Sequence, residues 1–295
     1  MGLRSKLDCP KTLPRLRFRP ILDSDVNELV ELLTRGFAPQ RSRAFWQNVM
    51  ARLAAHATPP AMPRYGYMLD DGRGPVGVVL LVSATMSSGE VRGNVSSWYV
   101  DPSFRAYASM LISQAISRKD ITYLNLTPLA QTRPILKAHG YSCYANGTFV
   151  ATLPLQLFAR SGHARLLAAS ATPRASFTSF ERQVLLDHAG YGCTALWCET
   201  DERAYPFVFR LRTINGIPCA QLIYCREVED CARFVGPLAR YLTLRGYPFL
   251  LINANAPIPG LVGKYFADTM SRYFRGPRRP RLGDFAYTEI AMFSP

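Results

Sequence analysis

The sequence predicts an α/β chain, an α+β arrangement of mixed sheets flanked by helices, on three observations. Strand-length apolar runs such as VGVVLLV (76–82) and YPFLLIN (247–253) are interleaved with segments that have one apolar side at helical spacing. At 295 residues and 48% apolar composition the chain is long enough for one large domain or two of ordinary size, each able to bury its own core. From the first hairpin onward, the order of elements in the first half recurs in the second, which points to an internal duplication.

RLRFRPILDSDVNELVELLTRGF (15–37) opens with alternating Leu16 and Phe18, then Ile21, as a strand. Asp25-x-x-Glu28 reads as a capping box for a helix with Leu29, Leu32, Leu33 and Phe37 on one side. RSRAFWQNVMARLAAH (41–56) repeats that period through Phe45, Trp46, Val49 and Leu53. Residues 65–85 are two strands around an Asp-Asp-Gly hairpin, and VRGNVSSWYV (91–100) is a third. A helix over 104–118, a strand over 121–126, a helix in TRPILKAHG stopped by Gly140 and a strand within 148–155 complete this half.

Residues 158–176, rich in Ser, Ala and Pro, are expected to link domains at 12–157 and 177–295. A helix over 178–189 leads to strands over 194–200, 205–213 and 218–227, then a helix over 230–245 and a strand over 247–255. A helix over 260–274 and a strand over 285–293 close the chain. ITYLNLTPLA and PFLLINANAPI each place a strand, an Asn and a Pro in the same succession.

Several function classes are excluded by composition. No apolar run approaches the roughly 18 residues of a membrane helix. The opening MGLRSKLDCPK is charged without an apolar core, and Lys6 stands where a myristoylation motif needs Ser or Thr, so a cytoplasmic protein is expected. Seven cysteines without a CxxC pair and four scattered histidines (His56, His139, His163, His188) argue against a disulfide framework and a zinc site. A net charge of +14 favours anionic ligands in general. Its one basic run, RGPRRPR (275–281), is broken by Gly and Pro and reads as a solvated loop rather than a nucleic-acid surface. The sequence leaves the oligomeric state open.

YVDPSFRAYASML (99–111) is the junction that bears on chemistry. A strand ends at an Asp-Pro turn and a helix begins, and the first amides of a helix lack intrahelical partners, so such a start can hold phosphate. Taken together, RFRPILDSDVNELVELL, GPVGVVLLV, WYVDPSFR and ILKAHGY resemble the opening strand and helix, third strand, fourth strand and Gly-aromatic helix end of the GNAT (acyl-CoA N-acyltransferase) family over residues 12–155. The second half resembles that fold in element order only, as a degenerate repeat.

The resemblance implies two GNAT-like domains, with the fourth strand of the first splayed from the fifth and the acyl-pantetheine in the gap. It implies acetyl-CoA or another acyl-CoA as donor substrate and transfer of the acyl group to an amine on a small molecule or a protein. Donor contacts are then expected from Tyr99, Val100, Arg105, Ala106, Ala108, Ser109 and Asn125. The family's Arg/Gln-x-x-Gly-x-Gly/Ala loop is matched at Arg105, but Ala108 replaces the first glycine, Met110 the last small residue, and Tyr107 adds bulk. Tyr107, Met110, Leu111 and Ala115 also read as a core-facing helical stripe.

The family's strand-four Glu is missing from NVSSWYV, which leaves Ser97 and Tyr99 as catalytic candidates; the usual acidic Tyr falls on Leu136 and the usual Asn on Leu129. In the second half, Glu227, Glu229 and Asp230 gather at the matching helix start and would repel a diphosphate, so no donor is expected there. The alternative reading is a catalytically inactive descendant that binds a ligand or partner through the old cleft.

Overall fold

The computed structural model describes residues 16–160 and 162–293, and the readings made on residues 1–15 lie outside them. The first half runs β1 (Arg17–Pro20), α1 (Val26–Gly36), α2 (Arg43–Ala55), β2 (Gly66–Asp70), β3 (Pro75–Thr85), β4 (Val91–Val100), a 3-10 turn at Pro102–Tyr107 that continues as α3 (Ala108–Ala115), β5 (Thr122–Asn125), α4 (Arg133–Ala138) and β6 (Ser142–Thr152). The second runs β7 (Arg165–Ala168), α5 (Ser179–Gly190), β8 (Thr194–Glu199), β9 (Ala204–Ile214), β10 (Ile217–Cys225), α6 (Glu229–Arg233), α7 (Val235–Thr243), β11 (Phe249–Ala254), β12 (Gly263–Arg275) and α8 (Glu289–Met292).

All these strands form one mixed sheet in the order β1-β2-β3-β4-β5-β12-β6-β11-β10-β9-β8-β7. Read from its two ends, each half lays down five strands in sequence and sends its sixth across the middle. Thus β12 completes the first half beside β5, β6 completes the second beside β11, and the two exchanged strands lie antiparallel at the centre. Only β4/β5 and β10/β11 are parallel. The central pair approaches closely at Gly147, where a Cβ would lie 2.5 Å from the Phe266 carbonyl oxygen, so only glycine fits.

Two expected elements of the C-terminal region are corrected. Residues 263–275 are a strand, not part of a helix over 260–274: Asp268 and Met270 have positive φ, and the register skips from Ala267 to Arg272. That irregularity breaks the two-residue alternation by which a strand is recognised. Residues 285–293 are not a strand: the Thr288 hydroxyl donates to the Phe285 carbonyl at 2.7 Å and α8 follows. The run is apolar because Phe285, Ala286, Ile290, Ala291 and Met292 are all buried.

Smaller differences have similarly local causes. Asp25 accepts from the Leu22 amide at 2.8 Å and from Arg19 at 2.6 Å, so it caps the turn before α1 instead of pairing with Glu28. The stretch expected as a linker contains β7, which pairs with β8. Leu111, Ile112, Ala115 and Ile116 form the buried stripe of α3, whereas Tyr107 and Met110 face outward.

Two cores lie under the first half. One faces α1 and α2; the other, on the opposite face, takes Val95 and Val100 of β4 with the α3 stripe. The second half repeats this, with α5 on one face and α6 and α7 on the other. Residues 284–293 form a strap on the α1/α5 face. Its Phe285, Ala286 and Ile290 join the α5 core and its Met292 and Phe293 the α1 core. No helix among the described residues is long and apolar enough to cross a membrane.

One buried histidine, His188 of α5, fastens the strap. His188 Nδ1–H donates to the Val184 carbonyl at 2.7 Å, which fixes Nε2 as the acceptor of the Tyr287 amide at 3.1 Å. Burial lowers its pKa to about 4. A second proton on Nε2 would meet the Tyr287 N–H, so the neutral ring is the folded form. The unfolded chain binds this proton near pH 6.5 and the folded chain only near 4, so stability is full above 6.5 and falls with pH through that window. The expected loss from His188 is about 3 kcal/mol by pH 4. Urea midpoints measured from pH 7 to 4 check it: His188→Gln should flatten the slope, and an unchanged slope would place the effect elsewhere.

Candidate functional site

The site is built where β4 and β5 part. They pair only over Arg92–Asn94 and Thr122–Leu124; β5 then ends, and β4 continues to Val100 held by β3. A bulge accompanies the separation. Ser96 faces Leu80 and Tyr99 faces Val78, so Ser97 and Trp98 share Val79, with Ser97 at φ +49°. Among the described residues, no backbone segment pairs with the β5-side edge of β4 beyond Asn94.

In the second half, β10 and β11 pair over Cys219–Gln221 and Phe249–Leu251 and then diverge in the same way. Here the edge is filled. Cys225 N–H donates to the Gly283 carbonyl at 2.9 Å and Phe285 N–H to the Ile223 carbonyl at 2.7 Å. Gly283 has φ +74°, and a Cβ there would sit 2.7 Å from Cys225 Sγ, so the seat requires glycine. At the matching helix start the Asp230 carboxylate accepts the Glu227 amide at 3.2 Å, which places one of the three expected acids on the backbone itself.

The strap then carries a carboxylate into the first gap. Asn94, at the last paired position, accepts the Glu289 amide on Oδ1 at 2.7 Å and reaches the Leu124 carbonyl with Nδ2 at 3.4 Å. Glu289 Oε1 accepts from the Thr127 hydroxyl at 2.6 Å. Burial pushes the Glu289 carboxyl up, while hydrogen bonds from Ser96 and Thr127 and the Arg272 charge oppose the shift. Glu289 Oε2 is buried without a hydrogen-bond partner, as are Nε and Nη2 of Arg272. Arg272 is lowered to about 10 by burial and lies over the Phe285 ring.

The residues singled out from sequence separate into two groups. Ser97 lies on the bulge with its hydroxyl 3.2 Å from that of Ser96, and Asn125 is half-buried at the end of β5, paired with Tyr273. Tyr99 points to the α1 face, packs over Gly36 and donates to Asp101 at 2.9 Å, so its hydroxyl is committed. Val100 is buried against α3. Arg105, Ala106 and Ser109 are exposed and Ala108 half-buried along the outer side of the turn and helix.

The loop itself is helical. Phe104 N–H returns to the Asp101 carbonyl at 2.8 Å and Ala108 N–H to the Arg105 carbonyl, so the open end of this helical stretch is at Pro102–Ser103. Ser109 Oγ lies 3.1 Å from His139 Nε2. Leu136 is buried and Leu129 exposed.

Glu289, Asn94, Thr127 and Arg272 escaped the sequence reading. One signal was available for one of them: Glu289 is the lone charge inside an apolar run, FAYTEIAMF, where a charge is rarely buried without a purpose. Concavities also lie elsewhere, including one of about 320 Å³ beside Ser176, Thr178 and Arg203. One of about 590 Å³ sits between Arg160, His163, Glu202 and Arg233, and one of about 240 Å³ between Arg92, Arg278, Arg279 and Asp284 at the opposite end of β4.

Each half has the same strand order with one parallel pair, and the architecture matches the GCN5-related N-acetyltransferase fold in tandem. Solved structures agree. A candidate acetyltransferase from Pyrococcus horikoshii aligns over 94% of this chain and 95% of its own, with TM-score 0.55 at 10% identity. GCN5-related N-acetyltransferases from Kribbella flavida (TM-score 0.56, 12% identity, 89% of this chain and 71% of that one) and Anabaena variabilis (0.52, 11%, 88% and 72%) are similar. No family sequence model and no curated protein sequence matches the chain.

Proposed function

We propose that the chain is an acyl-CoA-dependent N-acyltransferase of two units, built from 12–157 and 177–295 with β6 and β12 exchanged between them, that takes its donor into the first half only. The observation that carries this is the contrast between two equivalent strand edges: β4 is free beyond Asn94, whereas β10 is paired with Gly283–Phe285. A pantetheine arm has amide groups that can dock on a free strand edge as another strand would. Val100 and its neighbours supply that edge, and Asn125 lies across the gap.

The diphosphate end belongs at the open helix start, where the Ser103 amide and the Arg105 and Ser109 side chains face solvent. Asp101 would oppose an anion there, but Arg35 at 3.0 Å and the Tyr99 hydroxyl hold its carboxylate. Acetyl-CoA or a longer acyl-CoA is the donor, and an amine on a small molecule or a protein is the acceptor.

Thermal melting with acetyl-CoA and longer acyl-CoAs is the test. A donor at a hundred times its Kd stabilises the native state by about 2.7 kcal/mol, a readily measured rise in midpoint. Arg105→Ala should shrink the shift, and an unchanged shift would remove the loop assignment. No shift with any acyl-CoA would remove the proposal. A shift without thiol release across an amine panel would favour an inactive binding module.

A further inference from the structure

We propose that Glu289, delivered by the strap from the second half, accepts the proton of the acceptor amine in the gap of the first half. This rests on the acyltransferase reading above. The amine must lose a proton on becoming an amide, and β4 offers no carboxylate to take it. Asn94 stands at the parting of the strands, and its Oδ1 holds the Glu289 amide, so the strap is anchored where a strand-borne base is missing. The carboxylate lies in the gap, its Oε1 held by Thr127 just past β5 and its backbone amide by Asn94 on β4.

Its face is also the appropriate one. Val95 and Val100 pack toward α3, so Asn94 and Ser96 point to the opposite face, with α1, α2 and the strap. The diphosphate end enters at the start of α3, which leaves the Glu289 side to the acceptor. Thr127 is exposed, so solvent lies one residue from the carboxylate. Oε2 has no partner and is free to receive a proton. Arg272 of β12 is the charged group facing it; β4 presents Asn94 and Ser96 and the segment after β5 presents Thr127, none of which titrates near neutrality.

In the step, the amine nitrogen bonds to the thioester carbonyl carbon and its proton passes to Glu289 Oε2. The C–S bond breaks with its electron pair on sulfur, which takes up one proton from Glu289 through water. The products are an amide and a free thiol, and the carboxylate is restored.

The experiment combines carboxyl-¹³C NMR with initial rates of thiol release from acetyl-CoA, using alkylamines, polyamines and free-N-terminal peptides as acceptors. The Glu289 signal, assigned by its loss in Glu289→Gln, should titrate above the ordinary glutamate range. Glu289→Gln should lower kcat at least a hundredfold while the acetyl-CoA melting shift persists. Thr127→Val, which removes a hydrogen bond to the ionised form, should move the acidic limb of the pH–rate profile upward, and it serves as the test if Glu289→Gln does not fold.

An ordinary titration, a Gln variant within twofold of the parent, an unmoved acidic limb, or binding with no thiol release from any amine would each overturn the assignment of Glu289. Absence of any acetyl-CoA shift in the parent protein would instead overturn the acyltransferase reading, while the NMR titration still judges Glu289 directly.

Discussion

Asp284→Ala is expected to cost the fold about 3–5 kcal/mol, the usual penalty for stranding a buried charge. Arg92 donates to Asp284 Oδ1 at 3.0 Å and to the Ala286 carbonyl at 2.8 Å, and both side chains of the pair are more than nine-tenths buried. Burial alone would raise the Asp284 carboxyl, yet Arg92 and Arg281 pull it below its ordinary value, so the pair is ionised in the fold. Removing the acid leaves a guanidinium in the interior facing one carbonyl. The double variant Arg92→Met, Asp284→Leu should regain part of the loss, because the stranded guanidinium is gone and only the buried Ala286 amide and carbonyl lose a partner. Urea midpoints of the two single variants and the double decide it; a loss under about 1 kcal/mol for Asp284→Ala would mean that the strap is not anchored there.

Residues 12–157 expressed alone should show no cooperative unfolding transition. The first half borrows β12, which pairs with β5 through Tyr273–Arg275 and with β6 through Gly263–Ala267 and Arg272–Phe274. Without it β5 and β6 are separate edges with unpaired backbone, a state prone to aggregation. The isolated half also loses Met292 and Phe293 from the α1 core. A circular-dichroism melt of this fragment checks the claim. A sharp, reversible transition would show that the exchanged strand is dispensable.

Much of the fold could be read because it is local. The hairpin at 65–85, the β4-to-α3 junction and the repeat of element order all rest on neighbouring residues. The strand exchange could not be read, since nothing near Ser142 or Gly263 says which half will receive the strand. The bulge at Asp268–Met270 hid β12 behind a helix-like pattern, and burial on all sides gave the strap a strand-like one. For the site, the sequence led to β4 and to the loop after it. The carboxylate that now occupies the gap lies 195 residues from Asn94 along the chain, beyond any spacing argument.

The proposal that the first half takes a donor, while Gly283–Phe285 fill the matching edge of the second, sets a stoichiometry. Calorimetric titration of acetyl-CoA into the intact protein measures it without an acceptor. One molecule bound per chain is the predicted result, weakened by Arg105→Ala. Two per chain, or none, would contradict the account.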